Sequence, residues 1–435
     1  MVFLRFKSSA IYKSLLEFLK MKSSISFAKQ FFKKKYNMKD VFIIDAVRTP
    51  VGKFGGSLST IRPDDLGAEV IKALIARNPN IDINEIEDVI FGAANQAGED
   101  NRNVARMSAL LAGLPITVGG NTVNRLCASG LQSIADASRA IACGDGEIYI
   151  AGGTESMTRA PFVMAKAETA FSRTPEIYDT TIGWRFTNKK LSELYHPYAM
   201  GETAENIAAQ WKISREAQDQ FAHASQLKYQ AAHDSNIFAN EIVPISIPQK
   251  KGDAIVFNKD EHPRLGTIDD LTKLKPAFKK DGTVTAGNSS GINDGAAALI
   301  LASEDAVKKY NLTPIARLVS RGMAGVHPSI MGIGPVPATQ KALKRAGLTM
   351  NQIGLVELNE AFAAQGLACM HDLQMNPEIV NVNGGAIAIG HPLGASGARI
   401  STTLIHQMQK QNVQYGLATM CIGVGQGVAL IFERV

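Results

Sequence analysis

Short unbroken apolar runs alternate with longer stretches in which apolar residues recur every three or four positions, and the chain does this twice. In the first half, Val41-Phe42-Ile43-Ile44-Asp45-Ala46 reads as a buried strand closed by Arg48-Thr49-Pro50. Asp64 to Ala76 carries Leu66, Val70, Ile71 and Leu74 at helical spacing. Asp88 to Gly92 is the next strand, and Asn103 to Ala112 a helix stopped by Gly113-Leu114-Pro115. Thr122-Val123-Asn124 leads into Cys127, Leu131 to Cys143 is helical, and Glu147 to Gly153 is another strand. From Pro314 the order recurs: a strand at Ile315 to Val319, a helix at Ala338 to Ala346, a strand at Gly354 to Leu358 and a helix at Glu360 to Leu373. A helix at Gly397 to Gln411 and strands at Gly416 to Cys421 and Val428 to Glu433 close the chain. Strands alternating with helices predict a layered α/β architecture, and the repetition predicts two similar halves that meet at a shared site.

Between the halves the pattern breaks. Prolines, aromatics and charges scatter, with a helical piece at Ala204 to Ser225, and strand pattern resumes at Ala298-Leu299-Ile300-Leu301. The expected organisation is a basic leader over 1–37 outside the fold, an N-terminal half over 38–157 completed by 284–310, an inserted loop domain over 158–283, and a C-terminal half over 311–435.

At 435 residues, 45% hydrophobic and 20% charged, the composition is that of a globular enzyme with a large core. The net charge of +6 misleads, because nine of the 46 basic residues and one of the 40 acidic ones lie in 1–37. The remainder is close to neutral, which gives no electrostatic reason to bind nucleic acid. Residues 1–37 admit three readings: an organelle-targeting peptide, a membrane-surface helix, or an extension ahead of a start at Met38. The third is preferred because Met38-Lys39-Asp40 directly precedes the first strand and the basic residues are mostly Lys. No apolar run is long enough to span a bilayer. Four cysteines without a CxxC pair suggest neither a disulfide framework nor a structural zinc site, and point to a reducing, cytosol-like compartment.

Chemistry concentrates in three glycine-rich segments: Asn124-Arg125-Leu126-Cys127-Ala128-Ser129-Gly130, Gly390-His391-Pro392 and Cys421-Ile422-Gly423-Val424-Gly425-Gln426-Gly427. Two thiols and an imidazole suffice to move an acyl group. One thiol carries it, the imidazole activates that thiol, and the second thiol handles a proton. Cys127 opens a helix, where the macrodipole favours a thiolate. Gly423 can supply a backbone N–H to an oxyanion. Gly-x-Gly-x-Gly after Cys421 is no dinucleotide fingerprint, since a strand follows it and not a helix. Asn359 reads as a helix cap or as an amide that orients water, and Asp294 as a turn residue or a functional acid.

Together with Gly152-Gly153-Thr154-Glu155-Ser156-Met157, Ala286-Gly287-Asn288-Ser289-Ser290-Gly291 and Asn359-Glu360-Ala361-Phe362, these segments resemble the thiolase family from Met38 to Val435. The resemblance implies two mixed five-stranded α/β halves in an αβαβα arrangement with a loop domain, assembled as a dimer or tetramer. It implies Cys127 as the acyl carrier and His391 as its base and, with a water held by Asn359, a binder of the thioester oxygen. Cys421 would be the acid/base at the α-carbon, and the N–H groups of Cys127 and Gly423 a second oxyanion hole. Met200 would line the acyl pocket, and Arg264, Ser290 and Phe362 the coenzyme A site. Coenzyme A enters as a substrate, with no permanently bound cofactor or metal and no nucleic-acid or membrane partner.

The segments Gln96 to Asn103, Pro161 to Ala167, Phe171 to Arg173, Asp179 to Phe186 and Val424-Gly425-Gln426 resemble the 3-oxoadipyl-CoA thiolases of aromatic-acid breakdown. Those enzymes cleave 3-oxoadipyl-CoA with CoA to succinyl-CoA and acetyl-CoA. Ala199-Met200-Gly201 stands where acetoacetyl-type enzymes carry His-Met-Gly, and Ala128 where the subgroup often has Gly. Alternatives are an acetyl-CoA C-acetyltransferase, a fatty-acid 3-ketoacyl-CoA thiolase, a ketoacyl synthase (disfavoured by cysteine at 421) and a non-catalytic acyl-CoA binder. A free carboxylate on the substrate calls for an arginine, and Arg102, Arg173 and Arg185 lie in the subgroup's segments.

Overall fold

The structure, a computed structural model, describes residues 39–435, so the readings of 1–37 and of a start at Met38 lie outside the described residues. Its main strands are Val41–Arg48 (β1), Ile86–Gly92 (β2), Gly119–Val123 (β3), Ile148–Ser156 (β4), Asn293–Ser303 (β5), Ala316–Gly325 (β6), Leu355–Leu358 (β7), Tyr415–Ile422 (β8) and Gln426–Arg434 (β9). The N-terminal half runs β3-β2-β4-β5-β1, with β2 parallel to β3 and β4 and the remaining pairs antiparallel. The C-terminal half runs β7-β8-β9-β6, with a single parallel pair, β7 with β8. A lone parallel bridge from Val356 to Val380 stands in place of a fifth strand. The halves join where β1 meets β6 through Phe42–Arg317 and Ile43–Ala316.

The main helices are Pro63–Arg77 (α1), Val104–Leu111 (α2), Ser129–Cys143 (α3), Met200–Gln210 (α4), Arg215–Asp234 (α5), Pro335–Ala346 (α6), Ala363–Leu373 (α7) and Leu393–Gln411 (α8). A strand covered on both faces must carry apolar side chains at successive positions. In β5, Leu299 and Leu301 enter one cluster with Leu131 and Ile134 of α3 and Ile400 and Leu404 of α8. Its Ala298 and Ile300 enter another with Leu66, Val70 and Ile71 of α1 and Ala105 and Ala109 of α2. In β9, Leu430 and Phe432 face the α3/α8 cluster, while Ala429 and Ile431 face Ala338 and Ala342 of α6 and Ala368 of α7. The result is five layers, helices–sheet–helices–sheet–helices, with α3 and α8 in the middle.

In that middle layer the helices approach at backbone contact. A Cβ on Gly130 would lie 2.7 Å from the Ala398 nitrogen, and one on Gly397 would lie 2.1 Å from the Leu131 nitrogen. Only glycine permits this approach.

Residues 157–292 leave the sheet between β4 and β5. They are tied back by Arg48 at the end of β1, which is fully buried and paired with Asp260 and Glu241. The single helical piece expected over Ala204 to Ser225 is two helices. Lys212, at φ 54, breaks the turn, and the Ser214 hydroxyl accepts the Ala217 N–H to start α5. β6 outruns the expected Ile315 to Val319 because it pairs with β9 as far as Gly325, alternating buried and half-buried residues. Among the described residues no helix is long and apolar enough to cross a membrane.

Candidate active site

The two halves present their chemistry at equivalent places. Cys127 lies between β3 and α3, and His391 lies between the Val380 bridge and α8. The Cys127 loop is held by its own side chains. Asn124 Oδ1 accepts the Leu126 N–H at 2.8 Å, and Ser129 Oγ accepts the Arg125 N–H at 2.9 Å. Burial pushes the Cys127 thiol up to about 11, against backbone N–H donors from Gly423 and from Cys127 itself that favour the thiolate. Loss of water thus works against the thiolate that the helix N-terminus was expected to favour.

His391 is buried. Ser396 Oγ donates to Pro392 O at 2.8 Å and so has no proton left for the imidazole. It must accept from His391 Nδ1–H at 2.6 Å, which leaves Nε2 with a free lone pair. Asn359 Nδ2 lies 3.4 Å from that Nε2. Burial, with added repulsion from the buried Arg399 guanidinium, pushes the imidazole down to about 3. A neutral imidazole with this tautomer is a base and not an ion-pair partner. The His391 N–H donates to Asn293 Oδ1 at 2.9 Å. Gly390, at φ 113, is needed because a Cβ there would sit 2.7 Å from the Asn293 side chain.

Cys421, at the end of β8, is buried in an apolar cluster with Phe362, Ala361, Val284 and Met331, against which Met200 packs. Burial, then the neighbouring Cys127, raises its thiol well above the ordinary range. The hairpin that follows places Val424 at φ 63 and Gly425 at φ 85. A Cβ on Gly423 would meet Leu126 and Met200 at 3.2 and 3.6 Å. A cavity of about 400 Å³ opens beside these residues, lined by Cys127, Leu126, Met200, Gly423, Val424 and Glu155 together with Thr180, Ile182, Trp184, Arg185 and Asn95.

Cys127, Met200 and Gly423 thus meet at one cavity, with His391–Asn359 and Cys421–Phe362 in the adjoining buried shell. Arg264 and Ser290 are outside that lining. Ser290 is joined to it by its N–H to Ala361 O, and Arg264 donates to Ala286 O. Asp294 is no turn residue: it lies in β5, fully buried, and accepts the Thr158 N–H at 2.9 Å. Sequence reasoning missed Ser396 and Asn293, although both stand in or beside segments it singled out. It quoted Glu155 only as part of a motif. That buried carboxylate accepts the N–H groups of Ala94 and Gly394 at 2.8 and 2.7 Å and ties β4 to the start of α8.

Comparison with known proteins agrees with this geometry. Residues 41–305 match the family model described as thiolase, N-terminal domain, and residues 312–434 that described as thiolase, C-terminal domain. A beta-ketoadipyl-CoA thiolase of Acinetobacter baylyi is 56% identical over 401 residues, 92% of this chain and 100% of that protein. A 3-oxoadipyl-CoA/3-oxo-5,6-dehydrosuberyl-CoA thiolase of Escherichia coli is 54% identical, with the same coverage of 92% and 100%. The crystal structure of the Bacillus anthracis acetyl-CoA acetyltransferase superposes with a TM-score of 0.86 at 42% identity, covering 92% of this chain and 99% of that one. With family matches spanning nearly all the described residues and a duplicated five-layer fold shared with solved relatives, the chain belongs to the thiolase family.

Proposed function

We propose that this protein cleaves 3-oxoadipyl-CoA with CoA to give succinyl-CoA and acetyl-CoA. Cys127 Sγ attacks the 3-carbonyl while His391 Nε2 takes the thiol proton. The C2–C3 bond then breaks, its electron pair goes to C2, and Cys421 donates a proton there, so acetyl-CoA leaves and a succinyl thioester stays on Cys127. The proton that His391 took then restores the Cys421 thiol, His391 takes the proton of incoming CoA, whose sulfur attacks the thioester, and Cys127 leaves as a thiolate that recovers that proton from His391. The N–H groups of Cys127 and Gly423 stabilise one oxyanion. His391, with a water held by Asn359, stabilises the other. Met200 borders the acyl group, and Arg264, Ser290 and Phe362 serve coenzyme A.

The observation that carries this reading is the half-buried Cys127 thiol beside the Gly423 N–H at the cavity, together with a buried His391 whose Nε2 is left to accept a proton. The names and full-length coverage of the relatives support the acyl chain. The loop domain is taken as 158–283, between an N-terminal half over 38–157 with 284–310 and a C-terminal half over 311–435. β3 is an edge strand with one side unpaired among the described residues, and such an edge suits pairing with a second copy in a homodimer or a tetramer built from dimers. A cytoplasmic location fits the free thiols of Cys127, Cys143, Cys369 and Cys421, with organelle targeting by 1–37 as the alternative.

The test is CoA-dependent cleavage of 3-oxoadipyl-CoA beside acetoacetyl-CoA and a long-chain 3-ketoacyl-CoA, with the acyl peptide identified by mass spectrometry. The expected result is highest kcat/KM for 3-oxoadipyl-CoA and a succinyl group on Cys127. Preference for either other substrate makes the protein an acetyltransferase or a fatty-acid thiolase. No acyl group on Cys127 makes it a binder.

A further inference from the structure

The succinyl group that the proposed reaction leaves on Cys127 ends in a carboxylate four bonds from the sulfur. The cavity must therefore answer a negative charge close to the reacting thiol. Four arginines lie in or near the segments around it, and the structure separates them. Arg102 and Arg173 are exposed and are not in the cavity's lining. Arg125 is turned away, donating to Gln132 and Gln426. Arg185 is half-buried and lines the same cavity as Cys127.

Arg185 is also placed as a reader should be. Its Nη2 donates to Asn95 Oδ1 at 3.4 Å, and Asn95 is anchored in turn by its Nδ2 donating to Thr180 O and Oγ1 at 3.2 and 3.1 Å. The adjoining Trp184 Nε1–H donates to Tyr198 O at 3.0 Å, so two neighbouring residues of this lining are each held by hydrogen bonds. The guanidinium has a neutral amide as its hydrogen-bond partner and no carboxylate among the described residues' ion pairs. The other charged lining group, Glu155, spends its oxygens on the Ala94, Asn95 and Gly394 N–H groups, and burial pushes its carboxyl up to about 7. A cation without a counter-ion, facing a cavity whose remaining lining is largely apolar, favours an anionic acyl end. A planar guanidinium can take both of its oxygens.

We propose that Arg185 is the specificity-determining residue that binds the distal carboxylate of the acyl chain, held in position by Asn95. This assignment rests on the 3-oxoadipyl-CoA reading above and selects one arginine from the three that the sequence offers.

The experiment compares 3-oxoadipyl-CoA with 3-oxohexanoyl-CoA, which has the same chain length and a methyl group in place of the carboxylate. The wild-type protein should prefer the acyl chain that ends in a carboxylate. Arg185→Met should lower kcat/KM for 3-oxoadipyl-CoA about ten- to a hundredfold. It should leave 3-oxohexanoyl-CoA within about twofold or raise it, and its turnover of the neutral substrate shows that the variant folds. Arg102→Met and Arg173→Met should leave the preference intact. Parallel loss of both substrates in Arg185→Met would mean a merely structural arginine and overturn the assignment. So would an unchanged preference, which would place the reader elsewhere while leaving 3-oxoadipyl-CoA as substrate. Absence of any preference in the wild-type protein would remove the substrate reading itself, and the assignment with it.

Discussion

The two halves share a scaffold and differ at one connection. In the C-terminal half, β8 and β9 are joined by the three-residue hairpin Gly423-Val424-Gly425. In the N-terminal half, the equivalent strands β4 and β5 are separated by residues 157–292. The hairpin brings the Gly423 N–H to the Cys127 thiol. The long excursion supplies much of the remaining lining, Thr180 to Arg185 with Ala199 and Met200. In the proposed reaction the short connection serves the reacting atoms, and the long one serves the choice of acyl chain. A second asymmetry sits on top of the first: at matching positions before α3 and α8, one half carries Cys127, the proposed nucleophile, and the other His391, its proposed base.

Replacing the groups at those sites is the severest test of that division. Cys127→Ala should reduce acyl transfer and cleavage alike by at least about 10⁴-fold, because nothing else holds the acyl group. Cys421→Ser should lose cleavage of 3-oxoadipyl-CoA by about 10³-fold, since a hydroxyl is a far weaker acid near pH 7. It should still exchange succinyl groups between CoA and Cys127, a step with no α-carbon proton. Single-turnover measurements separate the two, and equal loss of both activities in Cys421→Ser would erase the distinction between the thiols.

Packing offers a smaller effect. Gly397→Ala forces a Cβ to within 2.1 Å of the Leu131 backbone in the middle layer. Overpacking of this kind costs about 1–3 kcal/mol, read as a lower urea midpoint. Gly266→Ala, in the excursion, meets only the end of the Asp270 side chain at 3.3 Å. It should change stability by less than about 0.5 kcal/mol. Equal effects would mean that the halves are not held together by close approach of α3 and α8.

The smallest effect concerns pH. With Cys127 up at about 11 and His391 down at about 3, neither partner changes protonation between mildly acidic and mildly alkaline conditions. Raising pH would aid the thiol only near its own range. Lowering it removes the base only as pH falls toward that of His391. The kcat/KM for acyl exchange should therefore stay within about threefold from roughly pH 5 to 9. A limb near the ordinary histidine value of about 6.5 would show instead that His391 titrates freely, as in a thiolate–imidazolium pair.

Much of this was legible beforehand, for a local reason. Val41 to Ile44 and Ala298 to Leu301 are apolar at successive positions because helices cover both faces of the strands they form. Burial in a doubly covered sheet writes itself into the sequence without reference to partners. Cys127, His391 and Cys421 stood out because their loops need glycine for backbone conformation and approach, as Gly390 at φ 113 shows. The break at Lys212 carried no such mark, and neither did the extension of β6 to Gly325, which follows from the length of its partner β9.

What the sequence determined by itself is the set of elements, the duplication and the identity of the reactive side chains, since each depends on residues near one another along the chain. The tertiary structure decided three further things. It set the protonation of those groups, through burial that raises two thiols and lowers one imidazole. It set the tautomer of His391, through the one hydroxyl proton that Ser396 gives to Pro392. And it chose among the arginines, by bringing Arg185 to the cavity that holds Cys127 and leaving Arg102 and Arg173 in solvent. Desolvation and charge act through space, so they take their values only once distant segments share a cavity.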